Sequence, residues 1–175
     1  MPVQSASSPQ PDLLHAVAER LAPLFFEDCH SREIARMRAT EVIEGYGPQS
    51  AEEYGTIGCI LAYSLSALYA LGRAAEKNIE VDDQLRYYDV AIRMNDAALR
   101  HEAALAKVRE ARSRGQLTQT AVDPQAVVAA VDKAMGDYNT LQFPLRDRSR
   151  RPRGRGAAPQ PPRPAATPLG DRTLC

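Results

Sequence analysis

The chain of 175 residues has no tryptophan, few phenylalanines and only three cysteines. Cys29, Cys59 and Cys175 are too few and too widely spaced for a disulfide framework, and an odd number leaves one thiol unpaired. This excludes the class of small disulfide-stabilised secreted domains. The first residues form neither a basic nor an apolar segment of a signal peptide. We therefore expect a reducing, cytoplasmic compartment.

Lysine is also scarce, with three residues against 19 arginines and 28 alanines. This bias is typical of a GC-rich genome and suggests a bacterial source. The formal net charge is zero, but the charge is unevenly distributed. Residues 146–175 carry eight arginines and two aspartates, a net charge of +6. Residues 1–145 carry 14 basic and 20 acidic side chains, a net charge of −6.

Long strand-like stretches are missing, and the apolar residues instead recur at spacings of three and four, which predicts helices. Ser50 and Glu53 form a capping box, and Asp123-Pro124 is a second helix start. We predict an all-α antiparallel bundle of four to five helices, with two long central helices that pack as a hairpin. The predicted helices span about 12–26, 31–45, 51–77, 83–112 and 124–141. Residues 1–11 and 146–175 are predicted to be disordered, since they cannot bury enough apolar surface.

The large apolar residues of these helices are expected to face the core. The third helix contributes Ile57, Ile60, Leu61, Leu65, Leu68 and Leu71. The second contributes Ile34, Met37, Val42 and Ile43, and the fourth contributes Leu85, Tyr88, Ile92, Leu99, Leu105 and Val108. Asn95 interrupts this last series, and the sequence does not decide whether it is buried.

The other side of the third helix carries small residues beside two tyrosines. This small-residue face comprises Gly58, Ala62, Tyr63, Ser66, Tyr69 and Ala70. Small side chains let another helix approach closely, so we predict self-association through this face. The alternative is that residues 124–141 fold back and cover it within one chain.

The same helix also has the length of a membrane span. Tyr54 to Gly72 contains no charged residue, and about 20 apolar residues cross a bilayer. Its large aliphatic residues lie on one side, however, whereas a helix in lipid needs them all round. A buried helix is therefore the favoured interpretation, and a membrane partner is not expected.

Signals for catalysis are weak. Glu27 and His30 have the spacing of a helical metal-ligand pair, but no second pair exists, and neither His15 nor Cys29 completes a ligand set. His101-Glu102 resembles an acid/base pair, but adjacent helical side chains diverge by about 100°. We predict no metal site, no cofactor and no enzymatic activity.

The C-terminal segment is a candidate polyanion-binding tail. Its contact residues would be Arg146, Arg148, Arg150, Arg151, Arg153 and Arg155. These arginines could neutralise phosphates of a nucleic acid, although no aromatic residues are present to stack on bases. The alternative is a solvated low-complexity end.

The middle of the chain, about residues 41–108, resembles short uncharacterised helical proteins of bacteria. The resemblance is carried by Tyr46-Gly47-Pro48-Gln49-Ser50, by Leu68 with Leu71-Gly72-Arg73, and by the segment Arg93 to Arg100. It implies a helical fold and no particular function. The leading hypothesis is a self-associating helical interaction module. The alternatives are a nucleic-acid-associated or regulatory protein that uses the tail, and a membrane-associated protein.

Overall fold

The structure is a computed structural model that describes residues 11–26, 31–115 and 122–142. Within these residues the chain is entirely helical and turn-like, with no strand, so the predicted all-α fold is confirmed. The elements are α1 (Pro11–Leu21), a short 3-10 turn (Ala22–Phe25), α2 (Arg32–Gly45), α3 (Ala51–Ala74), α4 (Val81–Ser113) and α5 (Pro124–Gln142). The predicted tail and its arginines lie outside the described residues.

Local capping interactions explain where the helices begin and end. The Ser50 hydroxyl accepts a hydrogen bond from the backbone N–H of Glu53 at 3.3 Å, and Ser31 and Asp123 act in the same way for α2 and α5. Between α2 and α3 the chain turns at Gly47, whose φ of 62° is a left-handed conformation that favours glycine. Pro23 ends α1 at Leu21, so the first predicted helix is shorter than expected.

Helices α3 and α4 form the predicted antiparallel hairpin. The turn at 75–80 connects them, and the Gln84 side-chain amide donates to the carbonyl of Ala74 at 2.9 Å close to that turn. At the opposite end, Arg112 of α4 contacts Glu53 of α3. The two helices are therefore paired from one end of α3 to the other.

Helices α1 and α5 cover the end of the hairpin that is far from the turn. Val127 and Val131 of α5 lie against Gly55 and Gly58 of α3, and Val17 of α1 reaches the second of these glycines. Arg20 of α1 also forms an ion pair with Asp132 of α5 at 2.8 Å. The main core lies here, and it includes Leu21, Ile43, Ile57, Ile60 and Val131.

Several of the predicted core residues are exposed instead. The exposed ones are Ile34, Met37, Val42, Leu68, Leu71, Leu85, Tyr88, Ile92 and Leu99. In α2 the buried side is formed by Ala35, Ala39 and Ile43, and in α4 by Tyr87, Ala91, Ala98 and Leu105. Alanines form much of these contacts because they let helices approach closely. The larger aliphatic residues consequently lie to one side of the contact. Asn95 is exposed.

Candidate docking face

The small-residue face of α3 is an internal packing surface. Gly58, Ala62, Ser66 and Ala70 are all buried. A Cβ atom added at Gly58 would lie only 2.6 Å from Cγ2 of Val131, so the two helices touch closely there. As in the alternative, residues 124–141 fold back over this face, at Gly58, Tyr63 and Tyr69, whereas α4 packs on Ala70. The buried part of the face is therefore occupied within one chain.

The two tyrosines of that face connect α3 to its neighbours. The Tyr63 hydroxyl donates to the Asp137 carboxylate at 3.3 Å, and its ring stacks on His101 with centroids 5.7 Å apart. Burial, together with the negative charge of Asp137, raises the pKa of Tyr63. Tyr69 meets Tyr138 edge to face at 5.4 Å. Both tyrosines thus stabilise the bundle rather than line an open site.

A different apolar surface is open to solvent along α4. Five large side chains on it are between 42% and 68% exposed: Val81, Leu85, Tyr88, Ile92 and Leu99. Their spacings are four, three, four and seven residues, with exposed Asn95 in the gap. At 100° per residue they fall within an arc of about 60°, roughly 110° from the side that packs on α3. This is the spacing of a coiled-coil seam without its partner.

Helix α3 extends this surface. Leu68 and Leu71 are exposed and lie about 80° round α3 from the side that faces α4. On both helices the exposed apolar residues are rotated in the same sense from the side that packs on the other helix, when each helix is viewed from its N-terminus. Because the helices are antiparallel, the two sets point to the same side of the hairpin. We call these seven residues the hairpin face.

Charged residues border the hairpin face in a regular pattern. Asp82, Asp89 and Asp96 recur every seven residues along its outer edge, and arginines follow each of them by four residues at 86, 93 and 100. All six side chains are exposed. Asp89 pairs with Arg93 at 2.9 Å, whereas Arg86 lies nearest to Asp83 at 3.6 Å.

A buried carboxylate joins the two helices at the other end of the hairpin. Glu53 is fully buried, and its carboxylate accepts from the backbone N–H of Gln49 at 3.0 Å and from Arg112, with Arg109 at 3.8 Å. The adjacent cleft of about 400 Å³ is lined by Tyr46, Gly47, Gln49, Arg109, Arg112 and Ser113. Because Arg112 is paired with Glu53 and Arg109 donates to the carbonyl of Tyr46, the cluster is a structural clamp.

The capping-box pattern identified Glu53 but not its burial. The side chain does reach back over the first turn, one residue further than expected, to Gln49 instead of Ser50. The arginines that neutralise it come from α4, 56 and 59 residues later in the chain. No local pattern reveals such a partner, so the sequence alone could not distinguish this carboxylate from an exposed cap.

The other candidate residues for metal binding or catalysis are His15, Cys59, His101 and Glu102, with Glu27, Cys29 and His30. In the parts of the chain that the structure describes, no group of three or more His, Cys, Asp or Glu side chains could hold a metal ion. Glu27, Cys29 and His30 lie outside those parts. His15 and Glu102 are exposed. Burial and the nearby charge of Arg100 lower the pKa of His101.

Cys59 is a buried thiol in the main core. Burial raises its pKa from the ordinary value of 9.0 to about 11. Since the thiolate is the reactive form, the folded chain keeps this cysteine inert at neutral pH.

Among the described helices, α3 alone is long and apolar enough to cross a membrane. Of its most apolar stretch, 56% is buried inside the fold, as in the core helix of a bundle. Comparisons with protein-family models, with curated proteins and with solved structures give no match.

Proposed function

We propose that this chain is a non-enzymatic helical interaction module that docks a protein helix on the hairpin face. One observation carries the proposal. Seven large apolar side chains are exposed on one side of the hairpin, and five of them have the spacing of a helix-packing seam. Scattered exposed apolar residues are ordinary, whereas an aligned set indicates an interaction surface.

The hairpin face is also suited to binding in energetic terms. Fully burying a large aliphatic side chain contributes about 1.5–3 kcal/mol, so completing the burial of a half-exposed one contributes about 1 kcal/mol. Six or seven such residues therefore provide several kcal/mol. They lie on two paired helices, so little backbone order has to be gained on binding.

Site-specific photo-crosslinking in living cells tests this proposal. A photoreactive residue replaces Leu85, a side chain of the hairpin face that is 61% exposed. The matched control replaces Ala104, which is exposed on the same helix but lies about 100° from Leu85 and about 130° from the mean direction of the seam. We expect a discrete protein adduct from position 85 and none from position 104. No adduct from either position would show that the face is free in the cell and would contradict the proposal.

A further inference from the structure

We propose that the cleft beside the Glu53 clamp binds a small organic oxyanion, a phosphomonoester or a carboxylate, through Arg109 and Arg112. The cleft lies where the C-terminal end of α4 meets the turn between α2 and α3, at the end of the hairpin that is far from its own turn. It is separate from the hairpin face, so this site goes beyond the proposed function and does not depend on it.

The charges at the cleft leave an excess of one positive charge. Two guanidinium groups share one carboxylate there, since Glu53 contacts Arg112 and the Nε atom of Arg109 lies 3.8 Å from Oε2 of the same glutamate. Within the described residues no acidic side chain lines the cleft, and nearby Glu110 is paired with Arg114. The local charge of +1 therefore favours an anionic ligand.

The two arginines also have hydrogen-bond donors to spare. Nη2 of Arg109 donates to the carbonyl of Tyr46, and Nη1 of Arg112 donates to Oε1 of Gln49 at 3.1 Å and to Glu53. Nη1 of Arg109 and Nη2 of Arg112 have no hydrogen-bond partner among the described residues. Because the side chains are 42% and 30% exposed, a ligand can reach both groups. Guanidinium donors form strong, charge-assisted hydrogen bonds with phosphate and carboxylate oxygens.

The clamp positions these arginines before any ligand arrives. Glu53 is fully buried, and the backbone N–H of Gln49 fixes its carboxylate from the other side. A free arginine loses side-chain freedom when it binds an anion, which opposes binding. Here that freedom is already restricted by the contacts with Glu53 and Tyr46, so less of it remains to be lost.

The size and lining of the cleft indicate the kind of molecule that fits. Its volume of about 400 Å³ lies within the range of about 300–1,000 Å³ that is usual for small-molecule sites. The ring of Tyr46, which is 36% exposed, lines the cleft and offers an apolar surface to the body of the ligand. At neighbouring Gly47 an added Cβ would meet no atom within 4 Å, so space remains beside this ring. An aromatic ester should therefore bind more tightly than a bare ion.

Isothermal titration calorimetry of the full chain at constant ionic strength tests the site with three probes: phenyl phosphate, benzoate and inorganic phosphate. We expect the better of the two aromatic probes to bind with a dissociation constant on the order of 1 mM, and inorganic phosphate to bind severalfold more weakly. The tighter aromatic probe identifies the preferred oxyanion. If neither aromatic probe binds at about 10 mM, the proposal is overturned.

A charge-matched pair of variants locates the binding. Arg109→Gln removes spare donors and one positive charge but keeps the pair of Glu53 with Arg112, and it should weaken binding by at least about tenfold. Arg93→Gln makes the same charge change at an exposed position of α4, about 24 Å away along the helix, and should leave the affinity unchanged. Equal affinities in the two variants would place the binding elsewhere or reduce it to a general charge effect, and would overturn the proposal.

Circular dichroism and thermal unfolding verify that the variants are folded. Arg109→Lys is a second variant at the same position, which keeps the charge but not the planar fork of donors. It should weaken binding severalfold, and wild-type affinity in this variant would overturn the assignment of the Arg109 guanidinium as a hydrogen-bonding group of the site.

Discussion

The two ends of the hairpin are built differently, although the same two helices form both. At the base, around Gly55 to Leu61, α3 is covered by α1, α4 and α5, and the core contains isoleucines, leucines and valines. At the tip, near the turn, a second small cluster consists of Ala70, Ala74, Tyr87 and Ala91. Large side chains are buried where three or four helices meet. Where only two helices meet, three alanines and Tyr87 fill the contact, and most of the large aliphatic side chains are left outside.

The largest expected effect comes from truncating one aliphatic residue at each end. Ile57→Ala at the base removes a fully buried side chain and should lower the free energy of unfolding by about 4 kcal/mol. Leu68→Ala, near the tip, removes an exposed one and should cost less than about 0.5 kcal/mol. Urea denaturation at low protein concentration measures both. Similar losses would contradict the distinction between base and tip.

A smaller effect on stability should appear at alkaline pH, because the thiol of Cys59 is buried at the base of the hairpin. Between its ordinary pKa of 9.0 and its raised value of about 11, Cys59 is ionised in the unfolded chain but protonated in the folded one. The unfolded state then binds fewer protons, so stability falls as the pH rises through this range. At about pH 10.5 the loss should reach about 2 kcal/mol.

Comparison with Cys59→Ala measures this contribution together with a smaller one from Tyr63, whose pKa is also raised by the nearby Cys59 thiol. The free energy of unfolding of the wild type should fall more steeply than that of the variant between about pH 8.5 and about pH 10.5. Parallel curves would mean that the thiol ionises as easily in the folded chain as in the unfolded one.

The smallest expected effect, with opposite signs at the two ends, comes from two glycines of α3. Gly58→Ala forces a methyl group against Val131, and the net loss should be about 1 kcal/mol after the gain in helix propensity. Gly72→Ala meets no atom within 4 Å and should instead gain up to about 1 kcal/mol. Thermal unfolding distinguishes the two variants. A stabilising Gly58→Ala would show that α5 packs less closely on α3 than the structure indicates.

The sequence predicted the helices well because their signals are local. The Ser50 and Asp123 caps, Pro23 and the Gly47-Pro48 break each act within one turn of helix, and the structure uses these four signals. The fourth helix, by contrast, begins at Val81 without a side-chain cap. Antiparallel pairing of α3 and α4 follows from their length and the short connection between them. These features depend on residues close together in the chain.

Burial was predicted less well because it depends on which helices are present nearby. The apolar stripe of α4 was expected to face the core, yet Leu85 and Ile92 are exposed, since α1 and α5 cover only the base. The small-residue face was expected to meet a second copy, but α5 and α4 pack on it within the chain. Periodicity identifies the apolar side of a helix, but it does not specify the neighbour that covers that side.

The close fit between α3 and α5 has a consequence for how this sequence can evolve. Positions 58 and 131 share one small volume, in which glycine on one helix leaves room for the branched valine on the other. A methyl group acquired at position 58 has to be accompanied by a smaller side chain at position 131. We therefore expect positions 58 and 131, which are 73 residues apart, to vary together among descendants of this chain. Position 72, where an added Cβ meets no atom within 4 Å, should vary independently of both.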